Sequence, residues 1–166
     1  MTNYSNSGFT TQDKVPSTFG GARTYTIDAR AAVAAADNDG KIYVLGVVTA
    51  NERPTDITVQ TTAITGGTDY DLGLYLINPD GTVGAVVDRD TFMDGQTMAT
   101  ASNVLNGFAA PAITARGGTV RELLVAAGIT LNATNDFPQY YLALTGVTVG
   151  TADGTVRVIY RALKDA

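Results

Sequence analysis

Asp69-Tyr-Asp-Leu-Gly-Leu-Tyr-Leu-Ile-Asn-Pro-Asp-Gly-Thr-Val-Gly-Ala-Val-Val87 is the stretch that decides the fold. From Tyr70 the side chains alternate, Tyr70, Leu72, Leu74 and Leu76 falling on one face and Asp71, Gly73, Tyr75 and Ile77 on the other. That period of two is the mark of a half-buried strand. Asn78-Pro79-Asp80-Gly81 then turns the chain, because Pro79 presets φ, Asp80 bonds nearby backbone and Gly81 accepts a positive φ. Thr82 to Val87 returns alongside, which makes a β-hairpin. At ~3.4 Å per residue the outgoing strand is roughly 30 Å long, the thickness of a small domain, so it belongs in the middle of a sheet.

The 166 residues suit one domain, and 45% hydrophobic content is enough for a core. With 18 Gly, many Thr and Val, and only 16% charged residues, the balance favours strands over helices. Cysteine and histidine are both absent. Their absence removes disulfides, thiolate nucleophiles, the usual general base near neutral pH and the commonest zinc ligand. A formal charge of −5 without a strong basic run sets the protein against DNA, RNA and anionic lipid. Met1 to Gly8 has neither the charged nor the apolar region of a signal peptide, and no apolar run is long enough to cross a bilayer. The expectation is a soluble product made in the cytoplasm, with no direct nucleic-acid or membrane partner.

Outward from the hairpin, the domain divides into an extended arm, residues 1–21, and a sandwich domain, residues 22–166. The first part is polar, carries Pro16 and Gly20-Gly21, and has no sustained period. It reads either as an arm fixed by a partner or as an unanchored terminus. Arg23 to Ala29 alternates as a strand, after which Asp28 is expected to cap a short helical turn through Ala29–Ala36. Asp37-Asn-Asp-Gly40 shares its opening with a calcium loop but lacks the downstream bidentate Glu, so it reads as a turn. Lys41–Val48 and Asp56–Ile64 are expected to be antiparallel neighbours joined by Asn51–Thr55, with Ile57 and Val59 facing inward.

Beyond Val87, Asp88 to Gly95 is a charged corner and Gln96 to Gly107 an irregular excursion. Asp88, Asp90 and Asp94 either gather round a hard cation or simply face water. Thr119 to Gly128 is the best helix: Thr119 and Glu122 have capping-box spacing, Leu123, Leu124 and Ala127 share a side, and Gly128 suits the stop. Its amides follow Gly117-Gly118 as an anion site would, without the lysine and serine of a phosphate loop. Tyr140–Thr145 and Val156–Arg161 read as a second hairpin around Gly150–Gly154. Its arginines, with Lys164, form either a basic stripe for acidic neighbours or a charged face that keeps an edge soluble.

Catalysis has little to work with. None of Ser5, Ser7, Ser17 and Ser102 lies in a G-x-S-x-G turn. The surviving option is a carboxylate pair, and Asp69 with Asp71, ~7 Å apart on one strand face, is the candidate. Solvated aspartates at a strand's start are the commoner case, so no catalytic, cofactor or metal residue is assigned.

Lys41 to Gly95, with Ile-Tyr-Val-Leu-Gly-Val-Val, a Pro-containing turn, Gly-Gly-Thr-Asp-Tyr-Asp-Leu-Gly-Leu-Tyr and Val-Val-Asp-Arg-Asp-Thr-Phe-Met-Asp-Gly, resembles small structural proteins of tailed bacteriophages, similar to head decoration or cement proteins. Tyr141 to Arg161 fits the same pattern, whereas Gln96 to Pro138 adds little. The resemblance implies a protein that binds the major capsid protein on the outside of an icosahedral head, commonly as a homotrimer, and resists the pressure of packed DNA. The expected fold is all-β, an antiparallel β-sandwich of jelly-roll type with one short helix. The alternative function is a carbohydrate- or receptor-binding module of a phage tail or fibre, which would show loop carboxylates and tyrosines around a cleft.

Overall fold

A computed structural model describes residues 23–111 and 115–164; the arm expected at 1–21 lies outside them. The strands are β1 (Arg23–Val33), β2 (Lys41–Thr49), β3 (Arg53–Thr61), β4 (Asp69–Ile77), β5 (Val83–Gln96), β6 (Ser102–Asn106), β7 (Gln139–Thr148) and β8 (Gly154–Lys164), with the helix α1 (Val120–Ala126) before β7. One sheet has the order β1-β8-β3-β6 and the other β2-β7-β4-β5. Every pairing is antiparallel. β1 pairs with β8, β2 with β7, β3 with β6 and β4 with β5, as if one long hairpin were rolled into two layers. That is the jelly roll expected from the sequence.

The hairpin at its tip is β4–β5. Gly81 has φ 79°, and the Asp80 carboxylate accepts from the Thr82 amide at 3.0 Å, which locks the turn. β4 lies between β7 and β5, as its length required. It is not half-buried, however: Tyr70 to Tyr75 are buried on both faces. The reason lies in β5. The step from Leu72 to Leu74 on β4 faces the step from Asp88 to Met93 on β5, and the surplus folds over the outer face of the sheet. A Cβ on Gly73 would come within 2.2 Å of the Asp88 and Arg89 carbonyl oxygens, so only glycine lets that backbone lie so close. The charged corner is thus part of β5, and Phe92 and Met93 within it enter the core.

Three other expectations are corrected. Ala29 to Val33 continues β1 instead of turning helically, because Ala29, Ala31 and Val33 oppose Val158, Val156 and Gly154 where the core needs small inward side chains. The alanine preference for helix gives way to the eleven-residue ladder. β2 and β3 are not neighbours, nor are β7 and β8: each connector carries the chain from one sheet to the other. Ala50, Glu52 and Val149 in those connectors are buried, as a crossing between layers demands and an exposed hairpin loop would not. Ser102 to Asn106 in the supposed irregular excursion is an edge strand.

Ile57, Val59, Leu72, Leu74, Leu142, Leu144, Val156 and Val158 fill the space between the sheets. At ~25 cal/mol per Å² of apolar area, this burial is the main stabilising contribution. Tyr160 lies edge-on to Phe92, with centroids 5.9 Å apart, and Phe92 meets Phe108 at 6.0 Å. Buried tyrosines need partners for their hydroxyls. Tyr70 donates to the Val149 carbonyl at 2.7 Å, Tyr140 to that of Asn135 at 3.1 Å, and Tyr160 to Glu52 at 2.6 Å. Glu52 also accepts from the Thr49 amide and hydroxyl, both at 3.0 Å, so the buried carboxylate pins the β2–β3 crossing. Burial first, then the charge and hydrogen bond of Glu52, push the Tyr160 phenol far above its ordinary value.

α1 closes one end of the sandwich. Thr119 and Glu122 form the expected capping box, and Gly128, with φ 90°, follows the C-terminal stop. Its buried side is Val120, Leu123 and Leu124; Ala127 is exposed. The Val120 and Arg121 amides donate to the Glu52 and Ala50 carbonyls at 2.9 and 3.0 Å. Those amides are therefore engaged within the fold, and the anion-site alternative is withdrawn.

Candidate interaction surface

The two outward faces of the sandwich differ in chemistry. On the β1-β8-β3-β6 sheet, Asp28 and Gln60 flank Arg157 and bond its guanidinium, while Asp56 pairs with Arg161. The Arg157 guanidinium holds the Asp28 carboxyl below its ordinary value, through its hydrogen bond more than its charge. Lys164 sits 4.1 Å from the Tyr25 ring centroid and 3.7 Å from Glu52. The arginines expected to form a basic stripe are thus neutralised across strands. β8 is moreover an interior strand, so they guard no edge.

On the β2-β7-β4-β5 sheet the outward side chains that remain accessible include Val44, Val47, Tyr141 and Val86, while Asp71, Tyr75 and Thr145 on the same face are buried. Val47, Tyr141, Tyr75 and Val86 lie in register and form one row across all four strands. Val86 is 54% and the neighbouring Val44 45% exposed, high values for large aliphatic side chains. Tyr75 bonds Thr145 at 2.6 Å and Tyr141 donates to the Gly81 carbonyl at 2.6 Å, which fixes both rings. A shallow depression of ≈ 590 Å³ runs over Ile42, Tyr75, Val86 and Val87, with Asp88 to Asp90 as its wall.

Asp71 holds that wall in place. One carboxylate oxygen lies 2.7 Å from the Arg89 Nε, and the other accepts from the Gly95 amide at 2.8 Å, so a single buried side chain clamps both ends of the surplus in β5. Burial raises its pKa, with the Gly95 amide and the Arg89 charge opposing. Asp71 is therefore a structural clamp and is not free to pair with Asp69 in catalysis. A carboxylate flanked by Tyr70 and Leu72, two residues before a glycine in the strand's apolar stretch, was the available sign of it.

Asp88, Asp90 and Asp94 do come together. They line one side of a ≈ 330 Å³ cleft closed by Pro111, Leu123 and Ala126. Burial, then a hydrogen bond with Asp90, pushes Asp88 up to about 6, and Thr91 donates to it at 2.9 Å. Among the described residues no group of three or more acidic side chains has metal-holding geometry. Among the described residues the cleft has no aromatic lining for a sugar to stack on. No helix among the described residues is long and apolar enough to cross a membrane.

Comparison with protein-family models gives no match, and no curated protein matches. Two chains of solved structures are similar to this one. A chain in the capsid of Ralstonia phage GP4 superposes with a TM-score of 0.55 at 15% identity, over 89% of this chain and 86% of that one. A chain in the cyanophage Pam1 capsid asymmetric unit gives a TM-score of 0.48 at 15% identity, over 98% and 97%. At this identity the likeness to the GP4 chain is one of fold.

Proposed function

We propose that this protein is a structural component of a phage virion, a decoration or cement protein that binds the outer capsid surface, self-associates, with trimers favoured, and stabilises the head without enzymatic chemistry. The observation that carries this reading is the split between the two faces. One face carries the cross-strand pairs of Arg157 and Arg161, beside the exposed Arg30 and Val104; the other presents Val44, Val47, Tyr141 and Val86 on strands buried from behind. Such a plate suits packing against neighbours far better than enclosing a reagent. The fold shared with a chain of the GP4 capsid supports the same reading. On a symmetric shell each contact repeats many times, so modest single contacts are sufficient.

The test is co-sedimentation of the purified protein with empty and expanded heads of its phage, beside passage over a glycan column. Saturable binding to expanded heads is expected. Retention on glycans with no head binding would transfer the assignment to a receptor-binding module.

A further inference from the structure

We infer that the outer face of the β2-β7-β4-β5 sheet is the docking surface for residues 1–22 of a second copy of this chain. The inference rests on the proposed function in one respect, that this face is the contact side.

The direction of β1 supports it. Ile27 packs against Gly46, and the Tyr25 hydroxyl donates to the Val47 carbonyl at 3.4 Å. Falling residue numbers in β1 therefore run the same way as rising numbers in β2. The described chain thus begins, at Arg23, beside the Thr49 end of β2. Twenty-two residues reach up to ~70 Å when extended, against roughly 30 Å for the length of β4, so the segment can span a neighbour's face.

Chemistry points the same way. Residues 1–22 are polar except for a few spaced large side chains, among them Phe9, Val15 and Phe19. They suit contact with the accessible Val44, Val47, Tyr141 and Val86, which flank the buried Tyr75. Lys14, beside Val15, suits the acidic wall at Asp88 and Asp90. An extended segment that lays alternate side chains into a flat apolar surface is an established mode of peptide recognition.

The chain has no cysteine, so single thiols can be introduced cleanly. Phe9→Cys and Val86→Cys proteins, mixed without capsids under mild oxidation, are expected to give a covalent heterodimer on a non-reducing gel. Thr58→Cys, on the opposite face, should give at least tenfold less with Phe9→Cys. Sedimentation velocity on Val86→Glu, its fold checked by circular dichroism, should show self-association weakened about tenfold or more. Cross-linking confined within single chains of a Phe9→Cys/Val86→Cys variant, or equal yields on the two faces, would overturn the inference. Head binding without the cross-link removes this docking alone, and the cross-link without head binding removes the decoration role alone.

Discussion

The outward faces of the two sheets carry similar backbone and opposite chemistry. The β1-β8-β3-β6 face holds Arg157 and Arg161 in cross-strand pairs that water screens; on the β2-β7-β4-β5 face the ion pair Asp71–Arg89 holds a fold of β5 over its own strand. Exposed pairs contribute little to stability, whereas a buried carboxylate that binds two partners controls the shape of everything it clamps. The lesson is that ion pairing decorates one face of this sandwich and builds the other.

Mutations can break that contrast in graded fashion. Gly73→Ala drives a methyl into the backbone of Asp88 and Arg89, and should cost about 3 kcal/mol in urea unfolding as the surplus of β5 is displaced. Asp71→Ala, which frees Arg89 and leaves the Gly95 amide unpaired, should cost about 2 kcal/mol. Arg161→Ala on the other face should cost under ~1 kcal/mol, and that small loss should fade in high salt. Equal effects for Asp71 and Arg161 would erase the distinction.

The acidic wall supplies a pH-dependent version of the same test. Asp88 in the folded state titrates at about 6 against an ordinary 3.8, so the native protein holds that proton more tightly than the unfolded chain. Its stabilising effect is complete below about pH 4 and is lost as pH rises through 6. Asp28, with a lowered pKa, acts in the opposite sense and below that window: its contribution stands above the ordinary carboxylate value and is lost as pH falls through the folded one. Asp88→Asn should therefore flatten the fall in melting temperature between pH 4 and 7, an effect on the order of 1–2 kcal/mol after allowance for solvent screening. An unchanged slope would place the titration elsewhere.

Legibility in the sequence followed range. The β4–β5 hairpin and the capped helix α1 were readable because turn residues, alternation and capping box all lie within a few positions. The ladders β1·β8 and β2·β7 were not, since their partners lie about 100 residues or more apart and no local signal names them. Locality also misled: Asn51–Thr55 and Gly150–Gly154 look like hairpin turns, and only the buried Glu52 and Val149 beside them betray a crossing between sheets. Of the candidate sites, the Asp88, Asp90, Asp94 grouping was legible from spacing. The apolar row was not, because Val47, Tyr141, Tyr75 and Val86 come from four separate strands.

Cryo-electron microscopy of expanded heads incubated with the full chain tests the account most directly. It should show eight-stranded sandwiches on the outer surface, the Val44 and Val86 face turned to neighbouring subunits and the Arg157 and Arg161 face turned to solvent. Bare shells, or sandwiches that bury the arginine face and leave Val86 in water, would contradict it.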